Sequence, residues 1–148
     1  MESRFMTRAI ELAREAASLG EVPVGAVIVK DGKIIGEGYN MREQKNNALS
    51  HAETEAINAA CTNLGDWRLD GCTIYVTLEP CPMCAGAIIN ARIKEVVFGA
   101  YDLNMGCMDS MTNLTNLPFA ANTTVYGGIR EDECKAILTD FFKEVRND

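Results

Sequence analysis

Apolar side chains recur at Phe5, Ala9, Leu12, Ala13, Ala16 and Leu19. That three-and-four spacing predicts an amphipathic helix over 3–19, with Ser3 as its N-cap and Gly20 as its stop. The pattern then changes. Val24–Lys30 is rich in β-branched residues, Asp31-Gly32 follows, and Lys33–Asn40 forms a second run; Asp-Gly between two such runs predicts a β-hairpin. Residues 41–49 are polar and loop-like. Ser50 opens a second helix reaching about Thr62, with Ala52, Ala56, Ile57, Ala59 and Ala60 compatible with it. After Asp70-Gly71, Cys72–Leu78 reads as a buried strand. Pro80 ends that strand, and Pro82 suits the first turn of a helix running to about Arg92. Lys94–Gly99 is the next strand. Residues 101–122 are rich in Asn, Met and Thr and carry only weak helical spacing. Thr123–Tyr126 is a short strand closed by Gly127-Gly128. Arg130–Val145 is a final amphipathic helix whose apolar side is Ile137, Leu138, Phe141 and Phe142.

Strands thus alternate with helices, which predicts an α/β fold. The opening hairpin makes its five-stranded sheet mixed, with helices on both faces. The 148 residues fit one domain over 1–148, with no repeat and no linker. The longest stretch without a polar side chain, Pro80–Ile89, is interrupted by Pro82 and Gly86 and falls well short of the roughly 20 residues of a spanning helix. Met1-Glu2-Ser3-Arg4 leads into a polar-studded pattern rather than a secretory apolar region. The expectation is a cytoplasmic protein without a membrane partner.

Charge and cysteine content narrow the chemistry. Lys and Arg number 14 against 21 Asp and Glu, for a net charge of -7. Such a chain is repelled on average by phosphate backbones, so overall charge offers no argument for a nucleic-acid partner and does not exclude one. Six cysteines in a chain of cytosolic type point to metal binding or thiol chemistry more than to disulfides. The sole histidine is His51, so any site that needs imidazole must use it.

Two stretches carry the chemistry, His51-Ala52-Glu53 and Pro80-Cys81-Pro82-Met83-Cys84. Each opens a predicted helix. Cys81 and Cys84 lie close to one helical turn apart, so both sulfurs can face one point. His51 can supply a third ligand from the start of the other helix. The converging helix N-termini favour the thiolate forms. A catalytic zinc keeps three protein ligands and one position for water. A closed structural zinc needs a fourth ligand. Cys61 is about 15 Å along the same helix as His51, and Cys72 is roughly 30 Å of extended chain from Cys81. Cys107 and Cys134 stay open as candidates. The open, catalytic site is the preferred reading, and the four remaining cysteines read as small buried or half-buried side chains, the methionines as core fillers. Glu53 has two readings. Ser50-x-x-Glu53 matches a capping box, in which Glu53 would only bond the backbone of Ser50. Beside a metal ligand, the same carboxylate can take a proton from water and return it to a leaving group. The cysteine pair favours the second.

His-x-Glu followed by Pro-Cys-x-x-Cys is the recognised signature of zinc nucleobase deaminases. Pro23-Val24-Gly25-Ala26-Val27, Gly38-Tyr39-Asn40, His51-Ala52-Glu53, Tyr75-Val76-Thr77-Leu78-Glu79-Pro80-Cys81, Met83-Cys84-Ala85-Gly86-Ala87, Val97-Phe98-Gly99-Ala100 and Asp140-Phe141-Phe142 follow in order. Together they resemble the bacterial tRNA-specific adenosine deaminase family over nearly the whole chain. The resemblance implies a cytidine-deaminase-like three-layer fold, a homodimer, and hydrolytic conversion of a wobble adenosine to inosine in a tRNA anticodon loop. It implies Zn2+ held by His51, Cys81 and Cys84, and Glu53 as proton shuttle while water attacks C6 of adenine and ammonia leaves. By the same resemblance Asn40 would hydrogen-bond the purine and Val24 would pack on the base opposite the His51 ring. The Ala52 backbone would meet the base edge, Asp102 would lie near the ribose, and Phe142, Lys143 and Arg146 would contact flanking nucleotides. The plainer alternatives are a strand core residue for Val24, a turn residue for Asn40, core packing for Phe142 and a solvated face for Lys143 and Arg146.

The chain departs from the family pattern in places. Asn47-Ala48-Leu49-Ser50 stands where Asp-Pro-Thr-Ala is frequent, Asn122-Thr123 stands where Asn-His is common, and residues 130–148 carry four basic and six acidic side chains. Two other functions follow as alternatives. One is deamination of a free nucleobase or nucleoside such as guanine or cytosine, which needs no phosphate track. The other is a zinc-stabilised binding module, which requires Glu53 to be only a cap.

Overall fold

The computed structural model describes residues 2–147. Its elements are α1 (Ser3–Ser18), β1 (Gly25–Lys30), β2 (Lys33–Tyr39), α2 (Ala52–Leu64), β3 (Thr73–Leu78), α3 (Pro82–Asn90), β4 (Glu95–Ala100), β5 (Thr124–Tyr126) and α4 (Glu131–Asn147). One five-stranded sheet runs in the order β2-β1-β3-β4-β5. β1 is antiparallel to both β2 and β3, whereas β3, β4 and β5 are parallel. The hairpin turn has Asp31 at φ 50° and Gly32 at φ 76°, the two consecutive left-handed residues that a tight hairpin of matching twist demands.

Strand alternation divides the core into two layers. Ala26, Ile28, Ile74, Val76, Val96 and Phe98 pack with Ala52, Ala56 and Ala60 of α2 and Ala85 and Ile88 of α3. The intervening Val27, Val29, Tyr75 and Val97 pack with Phe5, Met6, Ala9, Ile10 and Leu12 of α1 and Cys134 of α4. Helices therefore cover both faces of an α/β sheet, the expected three layers.

The approach of α2 to β2 is close enough to govern the site. A β-carbon on Gly36 would fall 2.5 Å from the Ala56 carbonyl oxygen and 2.7 Å from the Ala60 nitrogen; one on Gly38 would fall 2.6 Å from the Ala56 nitrogen. Two glycines on one strand face opposite three alanines on one helix face bring the two backbones together. The start of α2 is held against the sheet in consequence.

Several boundaries differ from the sequence reading. Glu2, not Ser3, holds the N-cap position of α1, and its side chain makes no capping bond; it is paired instead with Arg4 at 2.9 Å. α3 stops at Asn90 rather than Arg92. Residues 101–122 form no α-helix. They hold two short 3-10 turns, Leu114–Asn116 and Pro118–Ala120, the first capped by Asn113 Oδ1 accepting from the Thr115 N–H at 3.0 Å. A segment without an apolar stripe, broken by Pro118, has nothing to hold a longer helix to the sheet. Not all methionines are core: Met6 and Met108 are buried, whereas Met105 and Met111 are exposed. Among the described residues no helix is long and apolar enough to cross a membrane.

Candidate active site

The chemistry-bearing residues gather where α2 and α3 begin. His51 is the N-cap residue of α2, Cys81 is the N-cap residue of α3, and Cys84 lies in the first turn of α3. Pro82 at the head of α3 needs no N–H partner and is already set to a helical φ. His51, Cys81 and Cys84 place one ligand atom each within 4.8 Å of one another. His51 Nδ1 is 3.7 Å from Cys81 Sγ and 3.5 Å from Cys84 Sγ. Tetrahedral zinc, with its ordinary bonds to sulfur and to imidazole nitrogen, would set those separations at about 3.6 Å. The donor set therefore fits zinc in spacing and in type.

Among the described residues no fourth His, Cys, Asp or Glu joins this group. Cys72, Cys107 and Cys134 are buried elsewhere and Cys61 is half-buried, which closes the question left open for Cys107 and Cys134.

The electrostatics suit a cation. Hydrogen bonds from the Cys84 and His51 side chains push the Cys81 thiol down to about 4, against the opposing effect of burial. The Cys84 thiol is held up, first by sharing its proton with Cys81 and then by burial. The hydrogen bond to Cys81 raises His51. A thiolate beside a proton-sharing thiol and an imidazole is an arrangement that a divalent metal can enter by displacing protons.

Glu53 is only 4% exposed. Burial pushes its carboxyl up to about 7, with the charge of Cys81 adding and its own backbone N–H opposing. The capping reading of Glu53 is corrected by the structure. The N–H of His51 donates to Thr54 Oγ1 at 3.0 Å, so the reciprocal cap belongs to His51 and Thr54, one residue later than Ser50 and Glu53. The Glu53 carboxylate is left to face the pocket.

That pocket is a cavity of about 260 Å³ lined by residues that include Val24, Asn40, His51, Ala52, Glu53, Cys81 and Asp102. Every inner site residue named from the sequence except Cys84 thus lines one cavity, and Cys84 lies beneath it, fully buried. Val24 also belongs to the core. Asn40 also serves a turn: its Nδ2 donates to the Val22 carbonyl at 3.2 Å and its Oδ1 accepts from the Arg42 N–H at 3.2 Å. The core reading of Val24 and the turn reading of Asn40 hold, and both residues also line the cavity.

Phe142, Lys143 and Arg146 stand apart. They lie on α4, and none of them lines the cavity. Phe142 is 42% exposed, so it is not core; it stacks edge-on against Phe141, ring centroids 5.4 Å apart. Arg146 Nε donates to the Phe142 carbonyl at 3.3 Å.

The sequence reading missed Val22, Arg42, Leu78, Glu79 and Met105, which also line the cavity. Glu79 was visible within Leu78-Glu79-Pro80-Cys81 as part of a motif, without a task. It is 1% exposed. Burial pushes its carboxyl up, but hydrogen bonds from Ser110, Asp102 and Met108 outweigh this and hold it below the usual carboxylate range. A larger groove of about 590 Å³, between Asp70, Arg92, Lys94 and Phe119, shares no residue with the metal cluster.

Comparison with known proteins gives a consistent picture. The family model of MafB19-like deaminases matches residues 2–146. A tRNA-specific adenosine deaminase of Bacillus subtilis is 47% identical over 143 residues, covering 96% of this chain and 89% of that one. The chain belongs to the tRNA-specific adenosine deaminase family. A structure from work on A-to-I editing by tRNA:A34 deaminases at the wobble position superposes with a TM-score of 0.89 at 41% identity, covering 93% of this chain and all of that one. The guanine deaminase of Bacillus subtilis superposes over a smaller part, with a TM-score of 0.65 at 48% identity across 68% of this chain and 65% of that one. The cytidine-deaminase-like fold that the family resemblance implied is therefore the fold of this chain.

Proposed function

We propose that the chain deaminates adenosine to inosine at the wobble position of a tRNA anticodon loop, with Zn2+ as its cofactor. The carrying observation is the spacing of His51 Nδ1 from the two sulfurs, 3.7 and 3.5 Å, which matches tetrahedral zinc in a group that no fourth ligand joins among the described residues. Family membership supplies the reaction. The balance is adenosine plus water to inosine plus ammonia, with a C–O bond formed and the C–N bond to the amino group broken at C6.

His51, Cys81 and Cys84 hold the metal in this reading. Zinc bound there would supply the Lewis acidity that makes water nucleophilic near neutral pH. Glu53 takes the proton from water and delivers it to the departing amino nitrogen, the work of a general base that becomes a general acid. Asn40, held by Val22 and Arg42, presents its amide to the purine edge. Val24 and the His51 ring flank the base, the Ala52 backbone meets its edge, and Asp102 lies near the ribose. The base must leave any stack to reach such a recess, which an anticodon loop permits. Phe142, Lys143 and Arg146, exposed on α4, contact the flanking nucleotides. A homodimer acting in the cytoplasm completes the proposal.

The test is incubation of zinc-loaded protein with an anticodon stem-loop carrying a wobble adenosine. Inosine is the expected product, and its absence at one zinc per chain would reject the assignment. The second reading, deamination of free guanine or another small base, has the overlap with a guanine deaminase in its favour. Ammonia release from a panel of free bases and nucleosides decides it. The binding-module reading required Glu53 to be a cap, and Thr54 occupies that role.

A further inference from the structure

The far wall of the cavity is a segment without regular helix or strand, yet it is tied down at its start and at its end by one side chain. Glu79 Oε1 accepts from the Asp102 N–H at 3.1 Å and from the Ser110 hydroxyl at 2.5 Å. Glu79 Oε2 accepts from the Met108 N–H at 3.2 Å and from the Ser110 N–H at 2.8 Å. Four donors from one loop converge on a carboxylate that is almost wholly buried. A fifth link runs beside them, from the Cys107 N–H to the Pro80 carbonyl at 2.9 Å. The loop also closes over the carboxylate tightly. A β-carbon on Gly106 would fall 2.5 Å from Glu79 Oε1 and 2.5 Å from the Asp102 carbonyl, so only glycine fits there.

Between those ties the loop presents Asp102 and Met105 to the cavity. Glu79 itself sits two residues before Cys81. One side chain therefore joins the turn that bears a metal ligand to the wall that faces it. A buried carboxylate met only by protein N–H and O–H donors is not poised for proton transfer to substrate. It is poised to hold backbone.

We infer that Glu79 is a positioning residue that clips the Asp102–Ser110 wall to the Cys81 turn and so sets the width of the substrate recess. This deepens the proposed function and rests on the same cavity. The clip acts on substrate fit through Asp102 and Met105, and not on the metal, because Glu79 is no member of the His51, Cys81 and Cys84 group.

Glu79→Gln tests it with little change of shape. The amide must place its NH2 where one carboxylate oxygen was. At the Oε2 position it would oppose two backbone N–H groups. At the Oε1 position it would oppose only the Asp102 N–H, because the Ser110 hydroxyl can rotate to accept. The variant therefore releases the Asp102 end, the end that lines the cavity. The expected result is one zinc per chain and KM raised about tenfold, the scale of one buried donor left unpaired, with kcat changed far less. Hydrogen exchange should quicken at the Asp102 amide more than at Met108 and Ser110. Ser110→Ala, which removes one hydroxyl donor and keeps the carboxylate, should show the same split at about a third of that size. It also covers the case in which Glu79→Gln fails to fold.

An unchanged KM in both variants, or zinc lost in step with activity, would overturn the inference. The ratio of variant to wild type is read on whichever substrate the wild type turns over, stem-loop or free base. Silence of the wild type on both rejects the proposed function. The exchange pattern then still decides whether Glu79 clips the wall: protection at Asp102 that is unaltered by Glu79→Gln means it does not.

Discussion

The inner end of the cavity and its outer rim are built by different means. At the inner end, both ligand-bearing segments are the first residues of helices, and each helix start follows from its own sequence: Pro82 for α3, Thr54 for α2. At the rim, the walls are irregular segments. Each is fastened by a buried carboxylate that lies elsewhere in the chain. Glu79 holds residues 102–110, and Glu21 holds the opposite loop by accepting from the N–H groups of Glu43 at 3.1 Å and Gln44 at 2.6 Å. α4 stands further out still, with its charged end in solvent. The difference teaches that the two ends can be altered separately. The end with His51, Cys81 and Cys84 rests on two helix starts, that of α2 seated closely on β2, and the rim rests on buried carboxylates distant in sequence.

The strongest way to break that separation is at the metal. His51→Ala or Cys84→Ala should strip zinc and lower turnover by about a thousandfold or more, because water loses its activating centre; metal analysis beside a rate assay reads both. Full zinc occupancy in either variant would show that the ligand set is wrong.

Glu53→Gln comes next. It should keep zinc and lower kcat by about a hundredfold to ten-thousandfold, the range of general acid–base catalysis, with stem-loop affinity little changed. A variant that loses zinc instead would make Glu53 a part of the metal cage.

Gly36→Ala asks whether the inner end depends on its seat. The added methyl meets the backbone of α2, so stability should fall by about 1–3 kcal/mol, the usual cost of overpacking. Thermal melting reads it, and an unshifted Tm would show that α2 moves away from β2 freely.

The smallest effects are expected at α4. Lys143→Ala and Arg146→Ala should weaken stem-loop binding several-fold and flatten its salt dependence by about 0.7 per lost phosphate contact to a single strand, leaving zinc and turnover at saturation unchanged. Identical salt slopes in wild type and variant would remove α4 from the RNA surface.

How far the sequence reached depended on the range of the interaction. The amphipathic spacing of α1, the Asp31-Gly32 turn, and the β-branched runs of β1, β3 and β4 are local features, and each element forms within a residue of where the pattern puts it. His51-Ala52-Glu53 and Cys81-Pro82-Met83-Cys84 were legible for the same reason, since helix starts and one-turn spacing are settled within a few residues. Tertiary structure decided the rest. Ser50–Glu53 and His51–Thr54 are two possible capping boxes one residue apart, and the folded chain forms the second. The weak helical spacing of 101–122 gave no warning that the segment would be held by Glu79, more than twenty residues earlier. A buried carboxylate that collects backbone N–H groups has no period and no fixed spacing. Its partners are chosen by the sheet that brings the strand end and the loop together, so it shows only once the chain is folded.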